Sequence, residues 1–343
     1  MDLNFTEEQE MLRTSARDFL EKECPENVVR EIEANDLGYS PDLWRKIADL
    51  GWLGLVYPEQ YGGTGMSIVD LAVLCEEFGR AMFPSPYLST IVLSGLTILR
   101  AGNDQQKSDI LPKVINGDVI IALALSEPES SWEGTAWNPE SVTISTTRDG
   151  DDYLLNGVQL FVHDANIAHT FLVPARTRAS GDPKDAITLF LIDAQSPGIS
   201  VTRLATTAGD NQCEIIFSKV RAPRENIIGR LNGGWAPLSQ SMQIGAILLS
   251  AQMLGAGERL LEFSAEDYET RIQSDMPGEV KQYNEEYLAH LRSDIDGCRR
   301  TIYLAAKKLA KGESCDFEIT IVKGWSTYIH KKASSQAPQV SES

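Results

Sequence analysis

Histidine and cysteine side chains bind metals and act as nucleophiles, so their number and spacing are the first chemical information in this sequence. The four histidines are His163, His169, His290 and His330. The five cysteines are Cys24, Cys75, Cys213, Cys298 and Cys315. The histidines lack metal-ligand spacing, and the cysteines are widely spaced, odd in number and form no Cys-x-x-Cys pair. We therefore expect no metal site, and reduced thiols favour a cytoplasmic protein.

A glycine-rich segment, Gly54–Gly65, is the next candidate for binding chemistry. It reads GLVYPEQYGGTG. Its glycines can adopt positive φ, which a tight connector requires. It lacks the Gly-Lys-Ser/Thr ending of a phosphate-binding loop. We therefore interpret it as a connector between helices and not as a nucleotide site.

The net charge of −18 excludes several classes of partner. Nucleic-acid binding needs clustered lysine and arginine, and the same negative charge disfavours anionic membranes. The sequence has no uninterrupted apolar run of about 18 residues, so we expect no membrane span. The start, Met1–Phe5, has neither the basic region nor the apolar core of a signal peptide. A chain of 343 residues is expected to form two or three domains.

Helical signals fill the first third of the chain. Thr6–Gln9 is a capping-box pattern, Ser40–Pro41 is a second helix start, and Ser67 can cap a third helix. Further helices are predicted over Tyr87–Arg100 and Gln105–Ile115, with glycines after each. We predict an N-terminal α-helical domain over residues 1–117.

Strand signals dominate the middle third, residues 118–230. Val119–Leu125 is a nearly continuous apolar run, and Ser141–Thr147 alternates with a period of two. Asp149–Gly150 and Asn156–Gly157 are typical hairpin turns. Further strands are predicted at Tyr153–Leu155, Val158–Val162, Thr170–Pro174, Ile187–Ile192 and Cys213–Phe217. Short strands joined by turns predict an antiparallel barrel or sandwich.

Three long helices are predicted in the last third, residues 231–343. They cover about 237–271, 279–311 and 316–335 and would pack as a bundle. The predicted fold class is therefore α+β: a helical domain, a β domain and a helical bundle in chain order. Trp325 and Ile329 on the last helix are expected to be exposed, which favours association.

This order, together with local motifs, resembles the acyl-CoA dehydrogenase family of flavoproteins. Pro58–Gly65 looks like the family's P-E-x-Y-G-G-x-G connector. Residues 122–128, ALALSEP, are similar to its A-x-x-[ST]-E-P segment, and residues 156–162, NGVQLFV, to its N-G-x-K-x-[WF]-[IV] segment. Gly229–Trp235 resembles its link into the C-terminal domain. In the family a Gly-Gly segment would follow Ser343, so we expect the C-terminal end to be missing.

The resemblance implies FAD as the cofactor and an acyl-CoA thioester as the substrate. A flavin that accepts hydride needs a flat apolar wall and a few donors at its ring edge. In the family, backbone and hydroxyl groups near Ser126 approach the flavin ring, Phe161 would lie beside it, and His163 would lie near its reactive nitrogen. The residues that the resemblance assigns to this wall are Leu123, Leu125, Ser126, Phe161, Val162 and His163.

A second part of the implied flavin site lies after the first long helix. The family has R-x-Q-F-G there, and its arginine reaches a flavin phosphate across a subunit interface. This chain keeps Arg271 and Gln273 but has neither the aromatic residue nor the glycine. Gln282, eleven residues past Arg271, stands where the family has a flavin-contacting glutamine.

Two departures from the family pattern concern the cofactor. After Pro128 the family has a small-residue turn, x-A-G-S-D, whereas this chain has Glu129 followed by Ser130–Glu133. Inward-pointing Glu129 and Glu133 would repel phosphate groups. His163 stands where a threonine is common.

No catalytic base can be assigned. Dehydrogenation needs a carboxylate that takes the α-proton, and in one branch of the family it lies within the first long helix. The matching position here, counted back from Arg271 without gaps, is Gly245. Glu258 and Glu262 lie on other faces of that helix, because each residue turns by about 100°. In the other branch the base follows the Gly-Gly segment.

The sequence therefore supports alternative functions. One is FAD-dependent α,β-dehydrogenation of an acyl-CoA, in fatty acid or steroid side-chain metabolism, with an electron-transfer protein as acceptor. Another is a non-catalytic partner subunit of a heteromeric acyl-CoA dehydrogenase, and a third is a remnant that no longer binds the cofactor. We expect an oligomer, either homomeric or formed with a related subunit.

Overall fold

The structure is a computed structural model that describes residues 5–126, 138–271 and 278–342. The chain divides into two compact units. One comprises Met1–Val29, Met66–Phe83 and Ala246–Ser343, and the other comprises Arg30–Gly65 and Pro84–Gly245. In chain order, helices are followed by a sheet and then by helices again, as the sequence predicts. The division into three domains stays a prediction.

The helices of the described chain are as follows. They are α1 (Glu7–Glu23), α2 (Glu26–Ala34), α3 (Pro41–Asp49), α4 (Ile68–Arg80), a π-helix (Tyr87–Gly95), α5 (Leu96–Ala101), α6 (Asp104–Ile115), α7 (Trp235–Arg271), α8 (Gly278–Ala310) and α9 (Asp316–Glu342). The sequence signals missed α2, and they placed the end of α9 too early.

The strands lie in the second unit. They are β1 (Ile121–Leu123), β2 (Ser145–Asp149), β3 (Asp152–His163), β4 (Thr170–Arg176), β5 (Ile187–Asp193), β6 (Ile199–Arg203), β7 (Gln212–Ala222) and β8 (Ile227–Ile228). Among the described residues they form one sheet in the order β6-β7-β3-β2-β4-β5-β8, and β1 pairs with β4. The sheet is mixed, because β1 and β2 both pair with β4 in parallel. The remaining pairings are antiparallel.

The predicted helix starts are confirmed in atomic detail. The Thr6 hydroxyl accepts a hydrogen bond from the Gln9 backbone N–H, and the Gln9 side chain accepts one from the Thr6 N–H. Ser40 caps α3 with Pro41 at its first position, and Ser67 caps α4. Each cap satisfies backbone donors that a helix start leaves unpaired.

The helix predicted over Tyr87–Arg100 is not a single α-helix. Its first part is the π-helix, and the rest is α5. The Tyr57 hydroxyl donates to the Ile91 carbonyl at 2.6 Å, and it fills the space that a Cβ on Gly95 would need. A group inserted into the backbone ladder widens the turn.

The predicted hairpin turn at Asn156–Gly157 is wrong. Both residues lie inside β3, which pairs with β2 on one side and with β7 on the other. The pairing with β7 is irregular between Leu155 and Gly157, and the Asn156 side chain accepts a hydrogen bond from the Lys219 N–H. The β-bulge therefore absorbs the turn signal without reversing the chain.

The second strand begins later than predicted. The segment that precedes it forms a 3-10 turn over Pro139–Ser141, and the Asn138 side chain accepts a hydrogen bond from the Ser141 N–H. Asp149–Gly150 does form the predicted turn, between β2 and β3. The sequence signals also missed β6 and β8.

The first unit packs α1, α4, α8, α9 and the later part of α7. Every residue from Ile68 to Gly79 in α4 is buried. Ile329 is fully buried and Trp325 is half-buried, so their predicted exposure is wrong. The reason is packing within the unit, because Ile329 lies against Gly257 and Trp325 lies against Gly297.

One helix in the described ranges is long and apolar enough to cross a membrane by length and composition, Trp235–Thr270. Its most apolar window is 61% buried inside the protein, as in the core helix of a folded domain. The sequence expectation overlooked this helix because single polar residues interrupt the apolar run. One mostly buried helix is weak support for a membrane span.

Candidate functional site

The end of β1 and the end of β3 meet in the second unit. The Leu160 backbone N–H donates to the Ser126 carbonyl at 2.8 Å. Leu123 and Ser126 are half-buried, whereas Leu125 is buried. The two segments predicted to form the flavin wall are therefore neighbours in space.

A bulge interrupts β3 at Phe161. The pairing with β7 shifts between Gln159 and Val162, and Phe161 has φ +54. Its side chain is 42% exposed. An aromatic residue at positive φ is strained, and such strain concentrates at functional sites. This backbone outlier lies at the residue that the resemblance places beside the flavin.

The bulge presents Phe161 and His163 on the exposed side of β3. Val162 is buried in the core of the sheet, so it offers only its backbone to a ligand. The His163 side chain is exposed, and its Nδ1 lies 4.0 Å from Oδ2 of Asp210. An imidazole can donate a hydrogen bond to a ligand.

Asp164 follows directly and was not predicted. It is partly exposed as a residue, but its carboxylate is enclosed, and this burial raises the pKa of Asp164 to about 6. Oδ2 of Asp164 lies 2.5 Å from Oγ of Ser89 in the π-helix. One local signal was present, because aspartate after a strand is among the residues that tolerate positive φ, and here φ is +62.

The other predicted cofactor residues belong to the last third of the chain. Arg271 is the last residue of α7, and Gln273 lies outside the described residues. Gln282 is exposed on α8 and donates to Glu286 at 2.9 Å. The segment Glu129–Glu133 also lies outside the described residues. The roles of all these residues stay predictions.

The position expected for a catalytic base is crowded by a leucine side chain. Gly245 is buried, and a Cβ added there would lie 2.7 Å from Cδ2 of Leu93. A glutamate side chain would have to displace Leu93 of the π-helix. Leu93 could not be predicted as a neighbour of Gly245, because the two residues are far apart in the chain.

The two glutamates later on α7 are held in ion pairs. Glu258 pairs with Arg299 at 2.9 Å, and Glu262 binds Arg80 through both carboxylate oxygens. Burial alone would raise the pKa of Glu262, but the hydrogen bonds and charge of Arg80 lower it below its usual value. A carboxylate held charged in this way is a weak base near neutral pH. Both side chains therefore serve the packing of the first unit.

The residues at the bulge fit the ring system of a flavin. Phe161 has an exposed apolar ring, His163 is an exposed imidazole two residues further on, and half-buried Ser126 lies in the segment that pairs with Leu160. The described ranges contain no group of three side chains that could hold a metal ion.

Three profiles of one family match most of the chain. The acyl-CoA dehydrogenase N-terminal domain matches residues 6–118, the middle domain matches 122–220, and the C-terminal domain matches 232–341. The chain belongs to the acyl-CoA dehydrogenase family. Members of this family are FAD-binding flavoproteins, so FAD is the family's cofactor.

Individual relatives agree with this assignment. A 3-(aryl)acrylate reductase of Clostridium sporogenes is 30% identical over 324 residues, which cover 93% of this chain and 84% of that protein. The structure of butyryl-CoA dehydrogenase from Megasphaera elsdenii superposes with a TM-score of 0.87 at 25% identity, covering 99% of this chain and 89% of that one. The ChsE4-ChsE5 complex from Mycobacterium tuberculosis gives 0.86 at 25% identity, covering 99% and 88%.

Proposed function

We propose that this chain is an FAD-dependent oxidoreductase that acts on the α,β carbon–carbon bond of an acyl-CoA thioester. The observation that carries the proposal is the strained bulge at Phe161, beside the Ser126 segment that the family motif assigns to the flavin. Relatives named as a butyryl-CoA dehydrogenase and a 3-(aryl)acrylate reductase support this class of reaction.

The chain's own residues have distinct roles in this proposal. Phe161 packs against one face of the flavin ring, and His163 donates a hydrogen bond to its edge. Leu125 and Val162 are buried next to Ser126 and Phe161 in the chain, and their side chains exclude water there. FAD, when bound, supplies the hydride acceptor. Arg271, Gln273 and Gln282 would hold other parts of the cofactor.

Anaerobic addition of an acyl-CoA to the FAD-loaded protein tests the reaction. The probes are butyryl-CoA and 3-phenylpropionyl-CoA, and the corresponding free acids serve as controls. Loss of the oxidised flavin absorbance with a thioester, but not with its free acid, would support the proposal. Loaded protein that neither thioester reduces, and whose reduced form no enoyl-CoA reoxidises, would contradict it.

A second function is favoured by the crowding of Leu93 against Gly245, where the catalytic base would be expected. In this alternative the chain is a partner subunit of a heteromeric acyl-CoA dehydrogenase, and a related subunit supplies the base. Leu93 fills the space that a base on α7 would need. The structural similarity to one solved two-component complex, ChsE4-ChsE5, is compatible with such an assembly.

Co-expression with a base-bearing homologue separates the two functions. The alternative predicts that the pair co-purifies and that only the pair reduces flavin with acyl-CoA. Reduction by this chain alone would exclude it. The double variant Leu93→Ala, Gly245→Glu provides a second test. It opens the space and adds a carboxylate, so it should gain activity that Gly245→Glu alone does not.

We also propose that the chain acts as an oligomer and passes electrons to an acceptor protein. The 49 acidic residues against 31 basic ones leave an acidic molecule, which would attract a basic acceptor surface. A steep loss of acceptor reduction with rising ionic strength would support this electrostatic association.

A further inference from the structure

Asp164 joins the bulge of β3 to the π-helix. Its backbone N–H donates to the Asn211 carbonyl at 2.9 Å, which joins the turn after β3 to the residue before β7. Its carboxylate reaches Oγ of Ser89 at 2.5 Å. Ser89 is 4% exposed. A buried polar contact therefore lies one residue from His163 and three residues from Phe161.

The single hydroxyl hydrogen of Ser89 limits how many hydrogen bonds this side chain can donate. Oγ of Ser89 also lies 3.1 Å from the Pro86 carbonyl, which can only accept. A serine hydroxyl has one hydrogen to donate. If Ser89 donates to Pro86, then Asp164 must carry the proton that forms the Ser89 contact. If Asp164 is charged, Ser89 must donate to it and the Pro86 contact is lost.

The groups around Asp164 shift its pKa in both directions. Burial is the largest influence and raises its pKa, and Asp210 raises it further, whereas Ser89, His163 and the Asn211 side chain lower it. Tyr39 and Cys213 face the same carboxylate: burial raises the pKa of each, and the Asp164 charge raises both further. The protonated form of Asp164 is the one that satisfies both contacts of Ser89.

We propose that Asp164 is a positioning residue for the cofactor: its hydrogen bond to Ser89 fixes the turn after β3 and thereby the bulge that presents Phe161 and His163. The proposal rests on the proposed binding of FAD at this bulge. It adds a proton-dependent element, because protonation of Asp164 decides which partner donates in the contact with Ser89.

The direction of the pH effect follows from the raised pKa. A carboxyl group whose pKa is higher in the folded than in the unfolded protein favours folding below its unfolded pKa of about 4, and this contribution is lost as pH rises through about 6. In the charged form Ser89 turns from the Pro86 carbonyl to Asp164, so the start of the π-helix loses its contact with Ser89 and the bulge is held less firmly. FAD affinity should fall as pH rises from 5 to 7.

The test measures FAD affinity by quenching of flavin fluorescence between pH 5 and pH 8. Asp164→Asn keeps a donor that reaches Ser89 and cannot be charged, so its affinity should stay near the acidic wild-type value at every pH. Ser89→Ala should bind FAD about two- to tenfold more weakly across the range, the size expected for one hydrogen bond. Asp151→Asn, which removes an exposed carboxylate at the other end of β3, is the matched control and should follow wild type.

The thermal melting of each protein without FAD is measured over the same pH range. The melting temperature of wild type should fall relative to Asp164→Asn as pH rises through about 6. The proposal is overturned if wild type and Asp164→Asn bind FAD with the same affinity and the same pH profile. Wild-type protein that takes up no FAD at any pH would contradict the proposed function itself, a separate result that also removes the positioning role.

Discussion

Single residues in the candidate site differ in how far the sequence revealed them. Phe161 and His163 were predicted because they lie in a local motif. Asp164 and Ser89 were not, because their contact joins residues 75 positions apart. The close approach of Leu93 to Gly245 could not be predicted, for the same reason. Local spacing can reveal a motif, but it cannot reveal which distant side chain fills the space beside it.

Phe161→Gly separates backbone strain from cofactor binding. Glycine adopts φ +54 at no steric cost, and this relief offsets the lost packing of the partly buried ring, so the stability of the protein without FAD should change by no more than about 1 kcal/mol. Loss of the aromatic face should weaken FAD binding about two- to tenfold. Urea unfolding and flavin fluorescence measure the two effects.

Lys219→Gly is the control for Phe161→Gly. Lys219 lies on β7 with φ +50 and is exposed, so glycine relieves similar strain there without removing a predicted contact. Its FAD affinity should equal that of wild type. Equal FAD affinity in both variants would remove Phe161 from the site.

Arg299→Leu should strongly destabilise the first unit. Arg299 pairs with buried Glu76 at 3.0 Å and with Glu258, and the Tyr303 hydroxyl also donates to Glu76. Burial raises the pKa of Glu76, and the Arg299 charge opposes that rise. Removing one partner of a buried pair costs about 3–5 kcal/mol.

The control for this variant is Arg300→Leu, since Arg300 is the exposed neighbour. The cost of Arg299→Leu should shrink at acidic pH, because a Glu76 with a raised pKa is then neutral and its burial no longer penalises folding. Urea unfolding at two pH values measures the stability cost of each variant and how that cost depends on pH. Similar costs for the two leucine variants would show that Arg299 does not compensate Glu76.

Whole elements were predicted where the signal is local. Caps such as Thr6 and Ser67, and stops such as Gly117 and Gly312, act within a few residues and were found. The π-helix was missed because the Tyr57 hydroxyl that widens it comes from 34 residues away. The false hairpin at Asn156–Gly157 has the same cause, since pairing with β7 decides between a turn and a bulge.

Gly79 tests the packing of α4 against α7. A Cβ added at Gly79 would lie 1.9 Å from the Gln252 carbonyl oxygen, so Gly79→Ala must move the backbone. The free energy of unfolding should fall by about 1–3 kcal/mol or more. Gly324→Ala is the control, because Gly324 lies in α9 with open space around it, and it should gain about 0.5–1 kcal/mol. A neutral effect of Gly79→Ala would show that the two helices do not approach closely.

The exposed aromatic side chains and the high net charge of the molecule have opposite effects on its association. Large apolar side chains are exposed on the long helices, and the aromatic ones are Phe263, Tyr283, Phe317 and Tyr328. Such side chains favour association, whereas a net charge of −18 opposes it. Salt screens the repulsion, so association should strengthen as ionic strength rises.

Light scattering of the purified chain measures this association directly. Phe317, which is 74% exposed, is the first residue to change. Phe317→Glu should lower the mean mass at a given salt concentration, and Leu50→Glu, at an exposed site of the second unit, should not. Equal masses for wild type and Phe317→Glu at every salt concentration would show that Phe317 does not take part in association.

The visible absorbance spectrum of the purified protein, before and after incubation with FAD and removal of the unbound cofactor, tests directly whether the bulge at Phe161 binds the flavin. A flavin spectrum should stay with the wild-type protein, and Phe161→Gly should retain less of it. A folded wild-type protein that remains colourless after incubation with FAD would contradict the central claim.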